Sequence, residues 1–86
     1  MPTISFFYGI FIKMFWNEHA PPHFHATYGD YEGSILIREL TVIEGNLPKT
    51  AVNLIIKWAK LHQKELLADW ELCNKKQPPK KIEPLS

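Results

Sequence analysis

The sequence predicts a small α+β domain: an antiparallel sheet of three to four strands, in β-β-β-β-α order, packed on one long C-terminal helix. Two observations carry this. The first half alternates β-branched and aromatic runs with turn-forming dipeptides, whereas residues 49–75 contain neither Gly nor Pro and repeat apolar residues near helical spacing. Eighty-six residues make one domain over 1–86, since neither half would enclose a core by itself. The sheet is expected over about 4–44, the helix over about 48–75, and an extended Pro/Lys-rich tail over 76–86.

Ile4 to Trp16 is interrupted only by Gly9 and reads as one strand. Its even positions Phe6, Tyr8, Ile10, Ile12, Met14 and Trp16 make one apolar face, and Phe7, Phe11 and Phe15 make the other apolar as well. A strand apolar on both sides is predicted to be central or to lie under another molecule. Asn17 to Pro22 reads as a loop, because Pro21-Pro22 has no N–H to give to a ladder. His23–Tyr28 and Tyr31–Arg38 then flank the Gly29-Asp30 hairpin turn. That turn opposes Tyr28 to Tyr31, Ala26 to Gly33 and Phe24 to Ile35 on an apolar face. The other face carries His23, His25 and Thr27 beside Leu36, Ser34 and Glu32, with Arg38 further along. Leu40–Ile43 is a further short strand, ending at Glu44-Gly45-Asn46.

Pro48 is placed in the first helical turn, where its missing N–H costs nothing. Val52, Ile55, Ile56, Ala59, Leu66 and Trp70 form the apolar stripe, which Trp58 and Leu61 widen. A straight helix of this length would span roughly 40 Å, too long for so small a sheet. A bend near His62–Lys64 or a dimer contact is therefore expected, with His62 as a boundary residue. The small pair Ala26 and Gly33 leaves a shallow place on the sheet that suits Trp58, with Leu61 next. Ile82 and Leu85 can dock the tail back onto the domain.

The net charge of +1 hides an asymmetry. Residues 1–46 set two cations against five carboxylates, a net −3, and residues 47–86 set eight lysines against four, a net +4. Lys57, Lys60 and Lys64 offer a basic helix surface for nucleic acid or an acidic protein, or simply a solvated face. Cys73 alone excludes an internal disulfide and suits a reducing compartment. The apolar N-terminal run is too short for a membrane span and lacks the marks of a leader. A cytoplasmic protein without membrane contact is expected.

Chemistry is concentrated at His19, His23 and His25. In a strand, His23 and His25 share a face with alpha carbons about 6.5–7 Å apart. Three readings stay open. His19, His23 and His25 could ligate a metal, with Glu18 or Glu32 completing the set. Alternatively, His23 and His25 could exchange protons in metal-independent RNA cleavage, with Arg38, Lys13 or a helix lysine steadying the phosphate. In that reading the RNA 2′-hydroxyl is the nucleophile, and His19, Glu18, Thr27, Glu32 and Lys13 form the binding surface. In the third reading the imidazoles are hydrogen-bonded surface groups. No cofactor motif is present, and none is expected to be bound.

Several segments carry a family resemblance. Met1-Pro2-Thr3-Ile4-Ser5, Phe7-Tyr8-Gly9-Ile10 and Trp16-Asn17-Glu18-His19-Ala20-Pro21-Pro22-His23-Phe24-His25-Ala26 resemble the bacterial family called domain of unknown function 4160. Glu44-Gly45-Asn46-Leu47-Pro48, Trp58-Ala59, Glu65-Leu66-Leu67, Trp70 and Lys80-Lys81-Ile82-Glu83-Pro84-Leu85 fit the same pattern. Phe6 departs from it, standing where a polar or basic residue is more usual. The resemblance implies a stand-alone protein encoded beside a member of domain of unknown function 2442, an arrangement like a toxin–antitoxin pair. It implies the toxin role for this chain and a cognate antitoxin-like partner. It brings no catalytic residue set with it. A non-catalytic binding module using the basic helix is the alternative.

Overall fold

The computed structural model describes residues 3–86. Met1 and Pro2, part of the family-like N-terminal segment, lie outside the described residues. The order is β1 (Thr3–Phe7), β2 (Ile10–Lys13), β3 (His23–Tyr28), β4 (Tyr31–Leu36), β5 (Val42–Gly45), α1 (Lys49–Leu61) and α2 (Gln63–Asn74). The five strands form an antiparallel meander in sequence order.

The α+β class stands, with one more strand and one more helix than expected. The expected first strand is a hairpin, β1 and β2, turning at Tyr8-Gly9. Both turn residues have positive φ, 50° and 79°, the requirement of the tight turn that matches strand twist. The turn shifts the pairing, so Phe7 opposes Ile10 and Phe6 opposes Phe11. Odd and even positions therefore exchange faces. Phe7, Ile10, Ile12 and Met14 are buried, while Phe6, Tyr8, Phe11 and Trp16 are exposed. The segment expected to be central or to lie under another molecule forms the β1–β2 side of the sheet, with β1 at its edge. Part of that edge is covered from within, since the Ile82 N–H donates to the Ile4 carbonyl at 2.8 Å.

The β3–β4 hairpin has the expected register: Tyr28 with Tyr31, Ala26 with Gly33, Phe24 with Ile35, His25 with Ser34. Phe24, Ala26, Ile35 and Ile37 face the core. Trp58 is fully buried, its ring centroid 5.3 Å from Phe7 and 5.9 Å from Phe24. The side chain nearest to Gly33 is Leu47, whose Cδ1 a β-carbon built there would meet at 2.7 Å. Leu61, the other residue expected there, is exposed.

The long helix breaks at His62, whose φ of −128° and ψ of 24° are not helical. No Gly or Pro causes this. His62 still donates its N–H to the Ala59 carbonyl, three residues back, and accepts from the Leu66 N–H, so hydrogen bonding runs through the break. Its ring lies 5.5 Å from Trp58, and Nδ1 is 2.6 Å from Glu65 Oε1. Pro48 stands at the N-cap position, one residue before the helix. No helix among the described residues is long and apolar enough to cross a membrane.

Candidate functional site

The outward face of the sheet is built in cross-strand rows. Lys13 opposes His25, which opposes Ser34, which opposes Glu44. The neighbouring row sets Phe11 against Thr27 and Thr27 against Glu32. Between these rows lies a cavity of about 410 Å³, lined by Lys13, Phe15, His25, Thr27, Glu32, Ser34 and Glu44 with backbone at Gly33 and Gly45.

Beside the cavity, the loop before β3 brings Glu18 over the two strand histidines. Asn17, at φ +59°, turns the chain there. Glu18 Oε1 contacts His25 Nε2 directly and lies 3.6 Å from His23 Nε2. The two imidazole centroids are 5.1 Å apart and edge to face. One ligand atom from each of Glu18, His23 and His25 falls within 4.8 Å of the others. These side chains are 27%, 12% and 26% exposed, shielded yet open to a small solute.

Each imidazole is also held from behind. His23 Nδ1 donates to the Pro21 carbonyl at 2.9 Å, because a carbonyl can only accept. Neutral His23 therefore carries its lone pair on Nε2, aimed toward Glu18. His25 Nδ1 lies 3.2 Å from the Ser34 hydroxyl, which is buried and can give or take a proton. Phe15 packs edge-on to His25 at 4.6 Å, and Trp70 of α2 lies 5.1 Å from His23. The rings are thereby fixed by packing as well as by hydrogen bonds.

The structure brings together His23, His25 and Glu18, and gathers Lys13, Thr27 and Glu32 around the adjoining cavity. Two candidates stand apart. Arg38 is exposed in the turn after β4 and does not line the cavity; its carbonyl accepts from Gln63 Nε2 at 3.3 Å. His19 is exposed, and Glu18 takes the third place in the cluster instead. Lys57, Lys60 and Lys64 lie exposed on the helices. Sequence reasoning attached no role to Glu44, Phe15 or Trp70 beside the histidines. Glu44 could have been found by extending the hairpin register by one strand; Trp70, on α2, reaches His23 through long-range packing that no local pattern reports.

The arrangement can move a proton between a carboxylate and an imidazole, or hold a cation between three converging donors. No match was found among curated proteins or solved structures. A family model matches residues 9–71, which take in the cavity and all three clustered side chains. The chain thus belongs to the family described as Domain of unknown function (DUF4160).

Proposed function

We propose that this chain is the toxin-like component of a two-protein bacterial module, held inactive by a cognate partner protein. Its active surface is the outward sheet face around Glu18, His23 and His25, and its target is RNA. The observation that carries this reading is the convergence of His23 Nε2 and His25 Nε2 on Glu18 Oε1, beside a cavity that Lys13 helps to line. RNA supplies its own nucleophile: the 2′-oxygen attacks the adjacent phosphorus as one group of the site takes its proton, the bond to the 5′-oxygen breaks as another returns a proton to it, and a nearby cation steadies the phosphate charge, leaving a 2′,3′-cyclic phosphate. Neither a serine nor a cysteine nucleophile is required, and Cys73 is buried elsewhere.

The partner has support of its own. Phe6 and Phe11 stack at 4.5 Å on the exposed side of the first hairpin, with Tyr8, Tyr28 and Tyr31 also exposed. Aromatic side chains left in water at one end of a sheet suit coverage by another protein. The second reading, a binding module without catalysis, is favoured by the exposed Lys57, Lys60 and Lys64. Binding of that kind weakens steeply with salt.

Expression in a bacterial host tests the main reading. The protein alone should arrest growth, and co-expression of the adjoining gene's product should relieve the arrest. Normal growth in both cases would refute the toxin role.

A further inference from the structure

Resting on the reading of Glu18, His23 and His25 as the working site, we propose that these side chains hold one divalent first-row transition ion of the zinc class. The ion would supply the positive charge that the RNA reaction needs, and a water it holds would take over the proton transfers, since His23 Nε2 and His25 Nε2 are then bound.

The donor geometry is the first argument. Two imidazole nitrogens and a carboxylate oxygen lie within 4.8 Å of one another, close enough for modest side-chain movement to place all three on one ion. The rings are already oriented for it. A ligating histidine is ordinarily held by a hydrogen bond from its other nitrogen, and His23 Nδ1 donates to the Pro21 carbonyl in that way. His25 can follow. When its Nδ1–H donates to Ser34 Oγ, the lone pair on Nε2 turns toward Glu18; when the hydroxyl donates instead, Nε2–H faces Glu18. The Ser34 hydroxyl serves either state by rotating.

Charge is the second argument. Around the cluster and its cavity stand Glu18, Glu32 and Glu44 against the single lysine that lines the cavity, Lys13. That balance attracts a cation and opposes a phosphodiester. Arg38 and the helix lysines, also expected to assist, do not line the cavity. One bound divalent ion would reverse the local sign, which lets the same surface accept RNA. Two imidazoles with one carboxylate select zinc, cobalt, nickel or iron over magnesium, which takes oxygen donors. Three protein ligands also leave a position for water or a phosphate oxygen, as in catalytic rather than structural sites.

The test uses the full chain without an affinity tag, stripped by a chelator and titrated with Zn²⁺ by calorimetry and with Co²⁺ by visible absorption. One ion per chain is expected, with ligand-field bands from bound Co²⁺. Glu18→Gln, on a loop and nearly isosteric, should weaken binding by more than about 100-fold, and Ser34→Ala by roughly 10-fold. His62→Gln, at the helix break, should leave binding unchanged. Absence of stoichiometric binding by the folded protein, or unaltered affinity in Glu18→Gln, would overturn the metal site. Metal-loaded protein that binds one ion but leaves RNA intact would overturn the RNA reading instead. RNA cleavage that is equally fast after stripping would overturn the ion's part in that reaction.

Discussion

The indole N–H of Trp58 donates to the backbone carbonyl of Glu83 at 2.8 Å, linking the buried aromatic of α1 to the fourth residue from the C-terminal end. Two further bonds tie down the same stretch. The Lys80 N–H donates to Asp69 Oδ1 and the Ile82 N–H to the Ile4 carbonyl, each at 2.8 Å. The Pro/Lys-rich tail is therefore part of the fold, with Ile82 as a core residue.

Ile82→Ala should accordingly cost about 2–3 kcal/mol, the usual range for truncating a buried aliphatic side chain. Trp58→Phe should cost about 2 kcal/mol through the lost hydrogen bond and the void left beside Phe7 and Phe24. Urea unfolding followed by circular dichroism measures both. A change under about 0.5 kcal/mol at Ile82 would mean that the tail is not docked.

Two glycines with positive φ should respond differently to alanine. At Gly45, φ is +107° and a β-carbon would sit 2.1 Å from the Glu32 carbonyl oxygen and 2.4 Å from the Gly33 α-carbon, both backbone atoms. Gly45→Ala should therefore cost about 3 kcal/mol or more. At Gly29, φ is +59° and a β-carbon meets nothing within 4 Å, so Gly29→Ala should cost only about 1 kcal/mol. Comparing their thermal unfolding midpoints checks the order.

Asp69 is 2% exposed, and its Oδ2 has no hydrogen-bond partner. Burial raises its carboxyl above the ordinary range; the Lys80 N–H acts against this, and Glu65 adds to it. The sign follows from linkage. Below about pH 3.9 the group is protonated in both folded and unfolded chains and its charge costs nothing. As pH climbs, the unfolded chain ionises first, and the folded state loses stability until the raised value is passed. Asp69→Asn keeps the Oδ1 acceptor and removes the charge. Its stability relative to wild type should rise from pH 4 toward neutrality, read as a widening gap in urea midpoints. A gap independent of pH would contradict this account.

How far the fold could be read from the residues depended on whether local chemistry announced itself. Gly29-Asp30 between alternating segments sets the β3–β4 register pair by pair, and with it the shared face of His23 and His25. Tyr8-Gly9 makes an equivalent turn, but period-two counting passes through it because tyrosine is a good strand residue. The faces of Phe6 and Phe7 were exchanged as a result. The helix break at His62 was indicated only by length, since no Gly or Pro marks it. Leu61 was assigned to the core by a stripe that continues straight through the break. At the site, spacing on a strand gave two of the three clustered groups. Whether Glu18 or His19 completes them is decided by the turn at Asn17, which periodicity does not report.

The central claim is that the face around Glu18, His23 and His25 acts on RNA through the 2′-hydroxyl. It is tested most directly by incubating the protein, stripped and Zn²⁺-loaded, with an RNA and with the same strand carrying a single 2′-deoxy nucleotide at the cleaved position. Cleavage of the RNA, loss of cleavage at the deoxy position, and a fall of more than about 100-fold in His25→Ala are the expected results. Intact RNA in both preparations, equal cleavage of the deoxy strand, or full activity in folded His25→Ala would contradict the claim.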